Sequence, residues 1–177
     1  MKHSLGKRSL RTFFLVLVTL LSLLLSYGLT QEENTIETFG SISLADAIKT
    51  AQETLGASDT PFEATLQKDN GQLVWLLDFV SPAKQVMVNA DSGAVVSTTD
   101  LPEVPSVDAA LSDYGSLTLE QLVEIAKNAY GSPGDVTEFA LEKDAERGVL
   151  TWLVNVADKL VTIDANSGAV ISVGEPD

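Results

Sequence analysis

The stretch Asp91-Ser-Gly-Ala-Val-Val-Ser97 is repeated as Asn166-Ser-Gly-Ala-Val-Ile-Ser172, 75 positions further along the chain. The same offset relates Phe39-Gly-Ser-Ile-Ser-Leu44 to Tyr114-Gly-Ser-Leu-Thr-Leu119. A repeat of this length is too long for a solenoid unit and suits two small domains in tandem. The sequence therefore predicts one small module that occurs twice.

Each copy has the pattern of one helix followed by strands. Apolar residues recur at i, i+3, i+4, i+7 and i+11 from Leu44 and again from Leu119, which is typical of a helix packed along one face. Residues suited to helix caps flank both segments: Ser43 and Thr118 at the start, Gly56 and Gly131 at the end.

After each helix the apolar period falls to two, which is typical of strands. Near-continuous apolar runs at Leu73–Val80 and Val149–Val156 indicate central strands. A strand precedes each run, and a third strand leads through a Ser-Gly turn to a short return strand. Glycine permits the positive φ that such a hairpin needs. We predict an α+β fold of two tandem modules, each with one helix packed on a small antiparallel sheet.

The N-terminal part has the composition of a targeting segment. Four lysines and arginines lie in residues 1–11, and the uncharged run 12–31 has about the 20 residues that a membrane-spanning helix needs. We predict a cytoplasmic basic segment followed by a transmembrane anchor or a cleaved signal peptide. The expected division of the rest is a juxtamembrane segment at 32–40, module 1 at 41–99, a linker at 100–114 and module 2 at 115–177.

The charge of the chain after residue 31 excludes some partners. This part has seven basic and 25 acidic residues, a net charge of −18, and repels nucleic acid and anionic lipid headgroups. The chain has no cysteine, and its single histidine, His3, lies in the basic segment. These absences argue against disulfides, a histidine base and a zinc site. We therefore predict no catalytic residues, no cofactor and no metal.

Paired carboxylates remain the candidates for acid–base chemistry, for example Asp69 with Asp78 and Glu142 with Asp144. Such chemistry needs a shielded pocket that separates the two pKa values. Because these residues fall in or near predicted turns and on polar strand faces, we predict solvated surface groups.

The stretch from Asp164 through Asn166 and Gly168 to Glu175 resembles the outline of a calcium-binding loop. That loop type requires an oxygen ligand at position five and glycine at six, whereas Gly168 occupies position five. We predict an ordinary hairpin turn.

Two further pairs occupy equivalent positions in the copies. Trp75 and Trp152 lie in the apolar strands and are predicted to be core residues. Lys84 and Lys159 are predicted to be edge-strand lysines that discourage aggregation.

Both copies resemble the PepSY domain. The segments Val86–Val95 and Val161–Val170 match the Val-Asp-Ala-x-[Ser/Thr]-Gly-x-Val ending of that family, and Trp75 and Trp152 take the place of its aromatic strand residue. The resemblance covers most of the chain after residue 40.

The resemblance implies a non-catalytic extracytoplasmic protein. PepSY modules occur in the propeptides of secreted zinc peptidases and in bacterial envelope proteins, often beside a membrane segment. Because no peptidase follows the second copy before Asp177, we expect binding or regulation of a separate envelope or secreted protein, with a peptidase as the candidate. The alternatives are an acidic protein that binds a small ligand or cation, and a structural spacer. No binding residue is singled out.

Overall fold

The computed structural model describes residues 34–104, 110–111, 113–131, 133–144 and 147–175. The segment 12–31, predicted to be an anchor or signal, lies outside them. Within the described ranges, no helix is long and apolar enough to cross a membrane.

The two copies contain the same elements in the same order, so the predicted α+β fold is confirmed. Module 1 consists of α1 (Leu44–Leu55), β1 (Glu63–Asp69), β2 (Gln72–Phe79), β3 (Lys84–Asn89) and β4 (Val95–Asp100). Module 2 consists of α2 (Leu119–Tyr130), β5 (Val136–Lys143), β6 (Leu150–Val156), β7 (Lys159–Asp164) and β8 (Val170–Gly174).

Both helices begin and end at the predicted caps. Thr118 forms a complete capping box with Gln121, since the hydroxyl accepts from Gln121 N and the Gln121 side chain accepts from Thr118 N. Ser43 likewise accepts from Asp46 N at 3.1 Å. The left-handed conformations of Gly56 and Gly131 end the helices. These local hydrogen bonds satisfy N–H groups that a helix leaves unpaired at its start.

The Ser-Gly turns are hairpins, as predicted. Asp164 Oδ1 accepts hydrogen bonds from Asn166 N, Ser167 N and the Ser167 hydroxyl, and Asn89 makes the equivalent three bonds in module 1. The bonds from Ser167 and Asn166 lower the pKa of Asp164. The oxygen that resembled a calcium ligand is therefore used to close the turn.

The two modules share one sheet, a feature that the sequence left open. The strand order is β4-β3-β2-β1-β5-β6-β7-β8, and all neighbours are antiparallel. Strands β1 and β5 pair directly, with Thr65 opposite Ala140 at the centre of the ladder. Because residue 140 is the counterpart of residue 65 in the repeat, a pseudo-twofold axis passes through this pair.

Both helices pack on the same face of the sheet, where one apolar core extends across both modules. At the seam, Leu66 lies opposite Phe139 and Ala64 lies opposite Leu141, and all four side chains are fully buried. The segment before α1 adds to this seam, since Phe39 packs edge-on against Phe139 with ring centroids 5.8 Å apart. The modules are therefore joined by backbone pairing and by side-chain packing.

The prediction that Lys84 and Lys159 lie on edge strands is wrong. They lie on β3 and β7, each second from the edge, because the return strands β4 and β8 pair outside them. Lys84 forms an ion pair with Asp100, and Lys159 approaches Glu175 at 3.1 Å. Each lysine thus connects its strand to the end of the adjacent edge strand.

Candidate functional site

A cleft of about 390 Å³ opens between the modules, at the ends where the helices begin. Its walls are the segments that precede and start α1 and α2, and its floor includes Trp75 and Trp152. The walls are related by the repeat, since Phe39–Ala45 corresponds to Tyr114–Glu120. We call this site the inter-module cleft. Its size is that of small-molecule and side-chain pockets in proteins.

The walls are held in place by glycines that pack directly on the backbone. A Cβ atom at Gly40 would lie 2.5 Å from Ala90 O, and one at Gly115 would lie 2.6 Å from Ala165 O. Both glycines have positive φ, +78° and +76°. In module 1, Ala90 O accepts hydrogen bonds from the N–H groups of Ser41 and Ile42 at 2.9 and 2.8 Å. The conformation of the wall is therefore fixed by close backbone contact.

The two tryptophans are buried, as predicted, but their indole N–H groups differ. Trp75 is 1% exposed and donates to Ile42 O at 3.3 Å. Trp152 is 3% exposed, and its indole N–H has no acceptor among the described residues. A buried donor without an acceptor costs about 1–3 kcal/mol. The indole N–H of module 2 is thus buried without an acceptor, unlike that of module 1.

The two helix N-termini also differ. Ser43 accepts hydrogen bonds from Asp46 N and Ala47 N, which leaves the N–H groups of Leu44 and Ala45 without an intrahelical acceptor. At the equivalent place in α2, the Glu120 carboxylate accepts from its own backbone N–H and from the Thr118 hydroxyl, and these bonds lower its pKa. Among the residues that line the cleft, the α2 side therefore carries a carboxylate, Glu120, where the α1 side has Ala45.

The opposite face of the sheet carries a second feature, an acidic face formed by Glu63, Asp78, Glu138 and Glu142. Asp78, Glu63 and Glu142 lie directly opposite one another on β2, β1 and β5. Like charges placed in this way on adjacent strands destabilise a sheet. No three His, Asp or Glu side chains of the described ranges are grouped so that they could hold a metal ion.

Burial raises the pKa of all four carboxyls of the acidic face. For Glu63 the charges of Asp78 and Glu142 add to the effect of burial, and for Glu142 the charge of Asp144 does so. A hydrogen bond from Gln85 to Asp78 at 2.8 Å acts in the opposite direction. Asp78 and Glu142, predicted to be solvated surface groups, are partly buried, because they lie on central strands of the joined sheet.

We expect the folded protein to become more stable when the pH falls from about 7 to about 5. The acidic face has raised pKa values, so the folded state binds protons before the unfolded state does, and each proton relieves a cost of folding. The pKa values of Glu120 and Asp164 are lowered, so these two groups reduce the stability of the folded protein as the pH falls further. Thermal unfolding across this pH range measures the effect.

The variant Glu63→Gln tests the cause of this pH dependence. It should stabilise the protein near pH 7 by up to about 1 kcal/mol and reduce the gain on acidification, since it removes the central charge of the row. Glu53→Gln, an exposed position on α1, is the matched control. An unchanged pH dependence in Glu63→Gln would show that the acidic face is not its source.

The structure separates the residues of one predicted carboxylate pair. Asp69 and Asp78 lie at opposite ends of the β1–β2 ladder, opposite Gln72 and Glu63 respectively. Glu142 and Asp144 interact electrostatically, and Asp144 also pairs with Arg147 at 2.6 Å. Glu175, considered as a calcium ligand, pairs with Lys159.

Sequence reasoning did not identify the cleft or the acidic face. The signal for the cleft was present in the exact repeat of Gly-Ser before each helix, at Gly40 and Gly115. The acidic face depends on the β1–β5 pairing, which brings Glu63 opposite Glu142. That pairing has no local pattern in the sequence.

Comparison with known proteins agrees with this architecture. Residues 41–99 and 116–173 match the PepSY family, described as peptidase propeptide and YPEB domain. A crystal structure from Clostridium difficile, described as that of a "putative lipoprotein", has the same fold with a TM-score of 0.68. The two chains are 19% identical, and the match covers 81% of this chain and 99% of the other. No curated protein matches this chain.

Proposed function

The chain belongs to the PepSY family, and from this we propose that it is a non-catalytic extracytoplasmic protein that binds and regulates another envelope or secreted protein. A peptidase is the first candidate partner. The family description, which names peptidase propeptides, supports this choice. The two copies resemble modules that act on another polypeptide.

The inter-module cleft is the observation that carries the proposal. It is concave, has aromatic residues in its floor, and is built from two walls held by close glycine contacts. Rigid pockets of this kind bind partners with little loss of conformational entropy. Because the cleft uses residues of both modules, it also gives a reason for the pairing of β1 with β5.

The proposed location is the outer side of the cytoplasmic membrane. The uncharged run 12–31, preceded by basic residues, supports a single-pass anchor with a cytoplasmic N-terminus. Secretion after cleavage of this segment is the alternative. The description of the structural relative as a lipoprotein is consistent with an envelope location for this chain.

Site-specific photocrosslinking on intact cells tests the proposal. A photoreactive residue at Ser41, which is exposed and lines the cleft, should capture a defined protein that mass spectrometry identifies. The same residue at Glu53, exposed on α1 and outside the cleft lining, is the control. Equal capture at both positions, or none at Ser41, would count against the cleft as the binding site.

The effect on peptidases is measured separately. The purified protein, added to peptidases secreted by the same cells, should change the cleavage rate of at least one of them. If rates are unaffected while Ser41 still captures a protein, the binding function stands and the peptidase is the wrong partner.

A second candidate function, binding of a cationic ligand such as a basic peptide, is favoured by the acidic face. Three carboxylates in a row with raised pKa values lie on a sheet face without a compensating lysine or arginine in that row. Calorimetry with cationic peptides at millimolar concentration tests it, and calcium serves as the control, because the described residues contain no group that could hold a metal ion. If the binding heats of Glu63→Gln equal those of the wild-type protein, the acidic face is not the binding site.

A further inference from the structure

The inter-module cleft differs chemically between its two sides, and this difference defines the partner that it suits. Leu44 N and Ala45 N at the start of α1 lack intrahelical acceptors, so this side offers hydrogen bonds to an oxygen. The opposite side presents the Glu120 carboxylate, which is exposed and has a lowered pKa. Ala45 and Glu120 are counterparts in the repeat, so the difference arises from one divergent position.

The lining of the cleft adds an apolar requirement. Phe39, Leu44 and Leu117 line the cleft and are partly exposed, so they provide apolar surface that suits a large apolar side chain. Trp152 is 3% exposed, and its buried indole N–H has no acceptor in the described part of the chain. The indole N–H of Trp152 and the N–H groups that start α1 are thus all donors.

We propose that the cleft binds an extended polypeptide segment that carries a large apolar side chain next to a lysine or arginine. The apolar side chain lies against Phe39, Leu44 and Leu117, a backbone carbonyl accepts from the N–H groups at the start of α1, and the basic residue faces Glu120. This inference rests on the proposed function and names the partner chemistry of the same site.

Charge complementarity favours this occupant over a free anion. Helix N-termini normally favour an anion, but each first turn here already carries a carboxylate, Asp46 in α1 and Glu120 in α2. The net charge of −18 after residue 31 also repels anionic ligands. A peptide carbonyl uses the donors without introducing a negative charge, and a neighbouring basic residue uses the carboxylate.

Selection from a random heptapeptide phage library tests the inference. The full chain, held in lipid nanodiscs, serves as bait, and empty nanodiscs define the background. Enriched peptides should contain an aromatic or large aliphatic residue adjacent to lysine or arginine. Enrichment of acidic peptides, or of apolar peptides without a basic preference, would overturn the inference.

Two pairs of variants locate the binding. Ala45→Phe, which fills the cleft at the start of α1, should lower recovery of the enriched peptides about ten-fold or more, while the control Glu53→Phe leaves it unchanged. Glu120→Gln should abolish the basic preference but keep the apolar one, while Glu124→Gln keeps both. Equal recovery in Ala45→Phe and Glu53→Phe would reject the cleft.

Tryptophan fluorescence provides a direct measure of occupancy. The two tryptophans of the chain both line the cleft, so a synthetic enriched peptide without tryptophan should shift their emission in wild type and not in Ala45→Phe. If Ser41 captures a protein on cells but the library gives no basic preference, the proposed function stands and this inference fails. If the photoreactive residue at Ser41 captures no protein, the proposed function is rejected, and this inference is rejected with it.

Discussion

Replacement of Phe139 by alanine is expected to lower the free energy of unfolding by about 3–5 kcal/mol. Phe139 is fully buried on β5 at the seam between the modules, opposite Leu66 on β1 and Val154 on β6. Its ring also contacts Phe39 from the segment before α1. The substitution leaves a cavity at the point where three parts of the chain meet, and the paired backbones prevent its full collapse.

Phe139→Leu is the matched control, because it keeps most of the volume and should cost less than about 1.5 kcal/mol. Equilibrium urea denaturation followed by tryptophan fluorescence measures both variants. A loss below about 1 kcal/mol in Phe139→Ala would show that the seam contributes little to stability.

The seam is asymmetric, and this explains why Phe139 matters. Its counterpart in module 1 is Ala64, which lies opposite Leu141, whereas Phe139 lies opposite Leu66. The large side chain comes from module 2 and the small one from module 1, so the packing about the pseudo-twofold axis is not symmetric. Removal of the Phe139 ring therefore takes away the larger side chain of this pair of equivalent positions.

Replacement of Gly40 by alanine is the second large expected effect, a loss of about 2–4 kcal/mol. The added Cβ would lie 2.5 Å from Ala90 O, an atom that also accepts hydrogen bonds from Ser41 N and Ile42 N. The positive φ of +78° adds backbone strain for a residue with a side chain. We also expect the cleft wall to move, with loss of the Trp75 hydrogen bond to Ile42 O.

The variant Gly56→Ala distinguishes the cost of the close Cβ contact from the cost of the positive φ. Gly56 also has a positive φ, +61°, but nothing lies within 4 Å of its Cβ position, so the cost should be near 1 kcal/mol. Chemical denaturation gives the difference between the two variants. If Gly40→Ala and Gly56→Ala cost the same, backbone strain alone explains both and the close contact is unimportant.

The parts of the fold that sequence predicts well are those made by neighbouring residues. The caps at Ser43, Thr118, Gly56 and Gly131 depend on bonds within a few positions, and all four have the predicted conformation. The hairpin at Asp164 likewise closes on its own next residues. Local geometry leaves few alternatives for such sequences.

The parts that sequence misses depend on which strands become neighbours. Glu63 and Glu142 are far apart in sequence, and the local pattern around each is typical of a solvated charge. The β1–β5 ladder places them opposite each other, and both are partly buried. The sequence suggests that Lys84 is an edge residue because the return strand is short, yet the six-residue strand β4 pairs outside it.

The sequence by itself determined the duplicated module, its helix, its strands and its turns, because hydrophobic periodicity and capping are local properties. Only the tertiary structure decided that the two sheets join at β1 and β5, with Thr65 opposite Ala140. Strand pairing between copies is set by the shapes of both surfaces together, at a sequence separation that no local pattern records. The inter-module cleft and the acidic face both follow from that single pairing.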